Sequence, residues 1–108
     1  MDRIDSVAAF VEVAERRSFT AAARRLARSP AAVTRAVGEL ETRLGVRLLN
    51  RTTRAVSLTE AGDRFLAGAR RVLADLEEIE RAAAGVKTRS LLLLMTGLVG
   101  FALWPGIL

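Results

Sequence analysis

Apolar positions recur along the first stretch of the chain at Ile4, Val7, Ala8, Val11 and Ala14. This three-and-four spacing predicts an amphipathic helix that ends near Glu15. Arg16-Arg17-Ser18 breaks the pattern. Thr20 is a suitable N-cap for a short Ala-rich second helix over residues 21–27, with Ala23 and Leu26 facing inward and Phe19 packed beside them. Ser29-Pro30 marks a restart, a capping serine followed by proline at the first helical position, where a missing N–H costs nothing. The third helix should run from Pro30 to about Leu44 and stop at Gly45, a suitable left-handed terminator. Two short helices joined by Ala27-Arg28-Ser29 meet the requirements of a helix-turn-helix.

The third helix divides into two faces. Val33, Val37, Leu40 and Leu44 follow one another at spacings of four, three and four and form the expected core side. Ala31, Thr34, Arg35, Gly38 and Thr42 form the other side, with no bulky apolar residue among them. Small residues allow a helix to settle into a major groove roughly 12 Å wide, where Thr34 and Arg35 can reach base edges. An ordinary solvated face would more commonly carry Glu and Lys.

After Gly45 the period changes to two. Val46-Arg47-Leu48 and Ala55-Val56-Ser57-Leu58 each set two apolar residues two apart, with the polar turn Asn50-Arg51-Thr52-Thr53-Arg54 between them. This predicts a hairpin with a cationic, hydroxyl-rich tip. On its own it could be any surface hairpin; directly after a groove-reading helix it resembles a wing, with Arg51 and Arg54 facing phosphates or a narrow minor groove. Thr59 then caps a long helix, aided by Glu60 and Asp63 near its positive end, which continues to about Ala84 and stops at Gly85. At ~1.5 Å per residue it spans about 39 Å, more than so small a domain can cover. Gly62, Phe65, Ala69, Val72, Leu76, Ile79 and Ala83 alternate spacings of three and four, the seam of a two-helix contact. Packing on the helix-turn-helix is an equally simple account of Gly62 and Phe65, whereas a partner helix better explains the positions from Val72 onward.

Charge sharpens this picture. The net charge is +5 over 108 residues, but between residues 16 and 54 ten arginines face only Glu39 and Glu41. Such a block is the footprint of nucleic-acid binding or simply a solvated basic surface. With no Cys and no His, zinc sites, thiol nucleophiles and histidine bases are excluded, and neither a phosphate-cradling Gly loop nor a convergent carboxylate pair appears. No enzyme activity, metal or cofactor is expected. Met1-Asp2-Arg3-Ile4-Asp5 does not open a secretory signal, so a cytoplasmic protein is expected.

These elements, in this order, resemble the N-terminal DNA-binding domain and linker helix of the LysR-type transcriptional regulators. The residues that carry the resemblance are Ser18-Phe19-Thr20-Ala21-Ala22-Ala23, Ser29 with Ala32-Val33, Arg35-Ala36-Val37, and Leu40-Glu41. Leu44-Gly45-Val46-Arg47-Leu48-Leu49, Arg51-Thr52-Thr53-Arg54 and Leu58-Thr59-Glu60-Ala61-Gly62 complete it. The resemblance implies a mainly α fold, a winged helix-turn-helix with three helices and a short β-hairpin over residues 1–58, then a dimerising linker helix over 59–84. It implies a regulator that binds double-stranded DNA as a homodimer, with Phe65, Ala69, Val72, Leu76, Ile79 and Ala83 at the dimer contact. Pro30, Ala31, Thr34 and Arg35 would lie at or near bases and Arg54 in the wing. With Arg28, Ser29, Arg51 and Thr52 these form the candidate DNA-binding set. The family commonly has a polar residue, often Gln, and then Pro after the position of Ser29; here Pro30 and Ala31 stand there. One base-reading side chain is thus missing, and recognition should lean on Thr34, Arg35, the wing and DNA shape. Arg28, where a small apolar residue is usual, adds a phosphate contact.

Residues 90–108 carry no charge. Their length reaches the lower limit for a membrane span, with Lys87 and Arg89 as positive flanks. Gly97, Gly100, Pro105 and Gly106 argue against a span, as does the lack of a polar far end. The resemblance offers a preferred account, in which residues 85–108 are an apolar tail holding the truncated start of an effector domain, so that no small-molecule effector pocket lies in this chain. Three functions remain open: a DNA-binding regulator, an interaction protein that pairs with full-length relatives through the linker helix, and a membrane-tethered regulator.

Overall fold

A computed structural model describes residues 2–52 and 55–85. The first helix, α1 (Arg3–Arg16), begins where the Asp2 side chain accepts from the Asp5 backbone N–H at 2.8 Å. It ends at Arg17, which takes the left-handed conformation. Ala9, Phe10, Val11 and Val13 are buried, but Ile4, expected inward, stays exposed because it precedes Ser6, where the packed layer begins.

The second helix, α2 (Phe19–Leu26), starts two residues earlier than the sequence suggests. Ser18, not Thr20, is its cap, accepting from Ala21 N–H at 3.0 Å. The left-handed Arg17 ends α1 so abruptly that the chain restarts at once, leaving Thr20 exposed within the first turn. Ala27 closes α2 with φ of 56°, a conformation costing an L-residue roughly 1–2 kcal/mol. Helix α3 (Pro30–Leu44) has the expected boundaries. Ser29 accepts from Ala32 N–H at 3.1 Å, and Gly45 terminates the helix at φ 73°.

Helix α1 packs on both α2 and α3, with Phe10, Val13, Val33, Val37 and Leu40 fully buried among them. The inward face of α3 differs at its end from the expected one: Leu44 is 41% exposed, whereas Glu41 is buried. Leu44 occupies the final turn, and the chain leaves α3 at Gly45 in a direction that covers Glu41 instead.

The hairpin is also shifted. Strand β1 (Leu49–Arg51) pairs antiparallel with β2 (Val56–Leu58) in the register Leu49 to Leu58, Asn50 to Ser57 and Arg51 to Val56. Asn50 and Arg51 therefore belong to a strand, the turn starts at Thr52, and Val46 is exposed. The sequence expectation put the first strand at Val46-Arg47-Leu48, but Leu48 and Leu49 are both fully buried, which a regular alternating strand does not allow.

The long helix α4 (Glu60–Ala84) is capped as expected. Thr59 Oγ1 accepts from Gly62 N–H at 2.9 Å and donates to the Arg47 carbonyl at 2.6 Å. A Cβ at Gly62 would collide with the Leu48 carbonyl oxygen, so Gly62 serves a close backbone approach. Leu66 and Ala69 are buried, Phe65 meets Phe10 edge-on at 5.5 Å between ring centroids, and Arg70 pairs with Glu15 at 2.8 Å. The chain divides into two compact units, Met1–Leu73 and Ala74–Leu108. The described part of the second continues α4 to Ala84, where Gly85 N–H donates to the Arg81 carbonyl at 2.8 Å. Among the described residues no helix is long and apolar enough to cross a membrane. The readings of the apolar tail lie outside the described residues.

Candidate nucleic-acid interface

Because Val33, Ala36, Val37, Leu40 and Glu41 turn α3 inward, the opposite side of the helix is left open. Pro30, Ala31, Thr34, Arg35 and Thr42 are all exposed there. Gly38 and Thr42 leave a shallow depression of about 510 Å³ bounded by Arg35, Glu39 and Arg43. Among the described residues Arg35 makes no ion pair, so its guanidinium keeps all its donors for a partner. Thr34 Oγ1 donates to the Pro30 carbonyl at 2.9 Å. Its hydroxyl therefore offers an acceptor, beside a methyl group, to whatever meets this face.

Ser29 is exposed at the start of α3, with its oxygen capping Ala32 and its hydroxyl proton without an acceptor among the described residues. Arg28 is exposed next to it, at the positive end of the helix, a position suited to an anionic oxygen. Arg24 and Arg25, in the last turn of α2, are exposed too. Sequence reasoning counted these two only as part of the basic block.

The wing separates the remaining candidates. Thr52 closes the turn: its oxygen accepts from Ala55 N–H at 2.9 Å, and its backbone N–H donates to the Ala55 carbonyl at 2.9 Å. Arg51 points to Glu41, 3.1 Å from Oε1, and lies 4.9 Å from the centre of the Phe19 ring. Arg54 lies outside the described residues.

Glu41 is the residue that sequence reasoning missed. Its Oε2 accepts from the backbone N–H groups of Leu48 at 2.8 Å and Leu49 at 3.1 Å, while Oε1 faces Arg51 and, at 3.7 Å, Arg47. The available signal was an acid at helical spacing four from Val37 and next to Leu40, one of only two in the basic block. A carboxylate there needs several donors to be buried.

On α4 the seam candidates divide. Phe65 and Ala69 are packed within the chain's own core. Val72 and Ile79 are 51% and 64% exposed, Ala83 is exposed and Leu76 half-buried.

Residues 4–63 match the family described as bacterial regulatory helix-turn-helix protein, lysR family. The chain belongs to this lysR family. It is 43% identical over 79 residues to the HTH-type transcriptional activator AaeR of Escherichia coli, covering 73% of this chain and 26% of that protein. It is 46% identical over 76 residues to the HTH-type transcriptional regulator CrgA of Neisseria meningitidis, covering 70% of this chain and 25% of that protein. The chain thus spans about a quarter of the length of the curated lysR-family relatives it matches. Both relatives are named as regulators of transcription.

Solved lysR-family structures share the fold. Oxidised Corynebacterium glutamicum OxyR superposes with a TM-score of 0.74 at 34% identity, covering 79% of this chain and 28% of that one. The CbnR_DBD–DNA complex gives 0.67 at 41% identity over 78% of this chain and 99% of that one. The BenM_DBD/catB site 1 DNA complex gives 0.71 at 32% identity over 78% and 98%. The winged helix-turn-helix is therefore the fold of this chain.

Proposed function

We propose that this chain is the DNA-reading part of a transcriptional regulator, binding double-stranded DNA in a sequence-dependent way as a cytoplasmic homodimer. The outward face of α3 carries the proposal: small residues, Thr34 and an uncommitted Arg35, in a fold whose solved relatives include complexes with DNA. In this reading α3 lies in the major groove, Thr34 and Arg35 meet base edges, and Pro30 and Ala31 allow close approach. Arg28 and the start of α3 hold phosphate, which fixes register without carrying sequence information. The comparisons with regulators support this function over an interaction protein or a membrane-tethered one.

Selection of duplexes from a randomised pool, followed by footprinting at two salt concentrations, tests the proposal. A recurrent, partly palindromic site whose affinity falls as salt rises is expected. Recovery of no common site, or binding indifferent to salt, would count against it. The homodimer reading rests on Val72, Leu76, Ile79 and Ala83, an apolar series continuing along α4 past its last buried residue, Ala69. Replacing both Leu76 and Ile79 with Asp should give monomers in sedimentation, because a seam that meets its symmetry mate would bury like charges. A surviving dimer would move the interface elsewhere.

A further inference from the structure

The base of the wing is tied to the helix-turn-helix by one buried carboxylate. Glu41, on α3, accepts from the consecutive N–H groups of Leu48 and Leu49 at the entry to β1. The same short stretch receives the start of α4. Thr59 N–H donates to the Leu48 carbonyl at 3.0 Å, and Thr59 Oγ1 donates to the Arg47 carbonyl at 2.6 Å. Both legs of the hairpin are thus anchored at the level of Glu41. Arg51, two residues beyond the anchored stretch, reaches back with one guanidinium nitrogen 3.1 Å from Glu41 Oε1 and with its Cζ over the ring of Phe19, the first residue of α2. One side chain of β1 therefore touches α2 and α3 together.

Resting on the DNA-reading proposal, we infer that Arg51 is a positioning residue: it sets the wing against the recognition helix through Glu41 and does not itself bind phosphate. Its side chain is 29% exposed, one side covered by an aromatic ring and its charge opposed by a buried carboxylate. To meet a phosphate it would have to leave both partners, so that among the described residues the buried carboxylate would keep its two backbone donors but only the more distant Arg47, at 3.7 Å, as a counter-charge. Arg35, with no ion-pair partner among the described residues, pays no such penalty.

The two roles differ in what salt reveals. Each phosphate contact releases counterions, so losing one flattens the dependence of log K on log salt by about one unit. Losing a positioning residue weakens binding and leaves that slope unchanged. The test uses the whole 108-residue chain and a labelled duplex selected by the wild-type protein from a randomised pool. Binding is measured over a salt series at a temperature where circular dichroism shows each variant folded. Arg51→Met, which keeps the aliphatic stem, should weaken binding about fivefold with a slope within about 0.3 of wild type. In a Glu41→Gln background the same substitution should change affinity less than about twofold, since the partner it acts through has lost its charge.

A slope lowered by about one unit in Arg51→Met, unchanged affinity in that variant, or an equal loss in both backgrounds would overturn the inference. Should Glu41→Gln fail to fold, the slope and affinity of Arg51→Met alone decide. Absence of salt-dependent binding by the wild-type chain would overturn the DNA-reading proposal and this inference with it. Wild-type binding with a flattened slope in Arg51→Met overturns the inference alone.

Discussion

The outward face of α3 and the base of the wing lie within twenty residues of each other and draw on the same arginine-rich block, yet they use its charge in opposite ways. On α3, Arg35 stands on an open face among Ala31, Thr34 and Gly38 with no acid paired to it among the described residues. At the wing base, Arg51 is held between Glu41 and the ring of Phe19. The block contains two acids, and only Glu41 is buried. A cation's availability to an outside partner is thus decided by whether folding sets a carboxylate beside it. The count of positive charges does not reveal this.

Changes at the two regions should separate stability from recognition. The largest effect is expected from Glu41→Ala, which leaves the Leu48 and Leu49 N–H groups without their acceptor; at about 1–3 kcal/mol for each buried unsatisfied group, a loss of roughly 3 kcal/mol follows. For a domain of this size that lowers Tm by about 10–20 °C in a thermal scan. A fall under about 3 °C would show that the wing base does not depend on this carboxylate. Thr34→Ala, on the open face, should change Tm by no more than about 3 °C, because among the described residues its hydroxyl bonds only to the Pro30 carbonyl of its own helix. A large loss there would erase the contrast. The smallest effect concerns the turn between α2 and α3. Ala27→Gly relieves left-handed strain and adds backbone entropy of comparable size, for a net gain of about 0.5 kcal/mol and a Tm rise of about 2–4 °C. Destabilisation would contradict the φ of 56°.

How far the sequence foretold each region follows from the range of the interactions involved. Ser29, Pro30, Gly45 and Thr59 were legible because a cap is a contact within three or four residues. The open face of α3 was legible because helical period alone sorts Thr34 and Arg35 from Val33 and Val37. The choice of Ser18 over Thr20 was not, since both residues stand three before an alanine N–H and only the ending of α1 at Arg17 decides between them. The shift of β1 to Leu49 depends on Glu41, seven and eight residues back, and on Thr59, beyond the hairpin, so no local pattern announces it. Along α4 one spacing serves two purposes. Phe65 and Ala69 obey the same period as Val72 and Ile79, but the former pair meets the chain's own core.

Base reading by the outward face of α3 is tested by the affinity of Arg35→Ala for the selected duplex and for each of its single-base-pair variants. Base reading by Arg35 predicts a loss of about 1–3 kcal/mol on the selected duplex, with discrimination relaxed at one base pair of each half-site and Tm within about 3 °C of wild type. A uniform loss across all variants, or none, would contradict it.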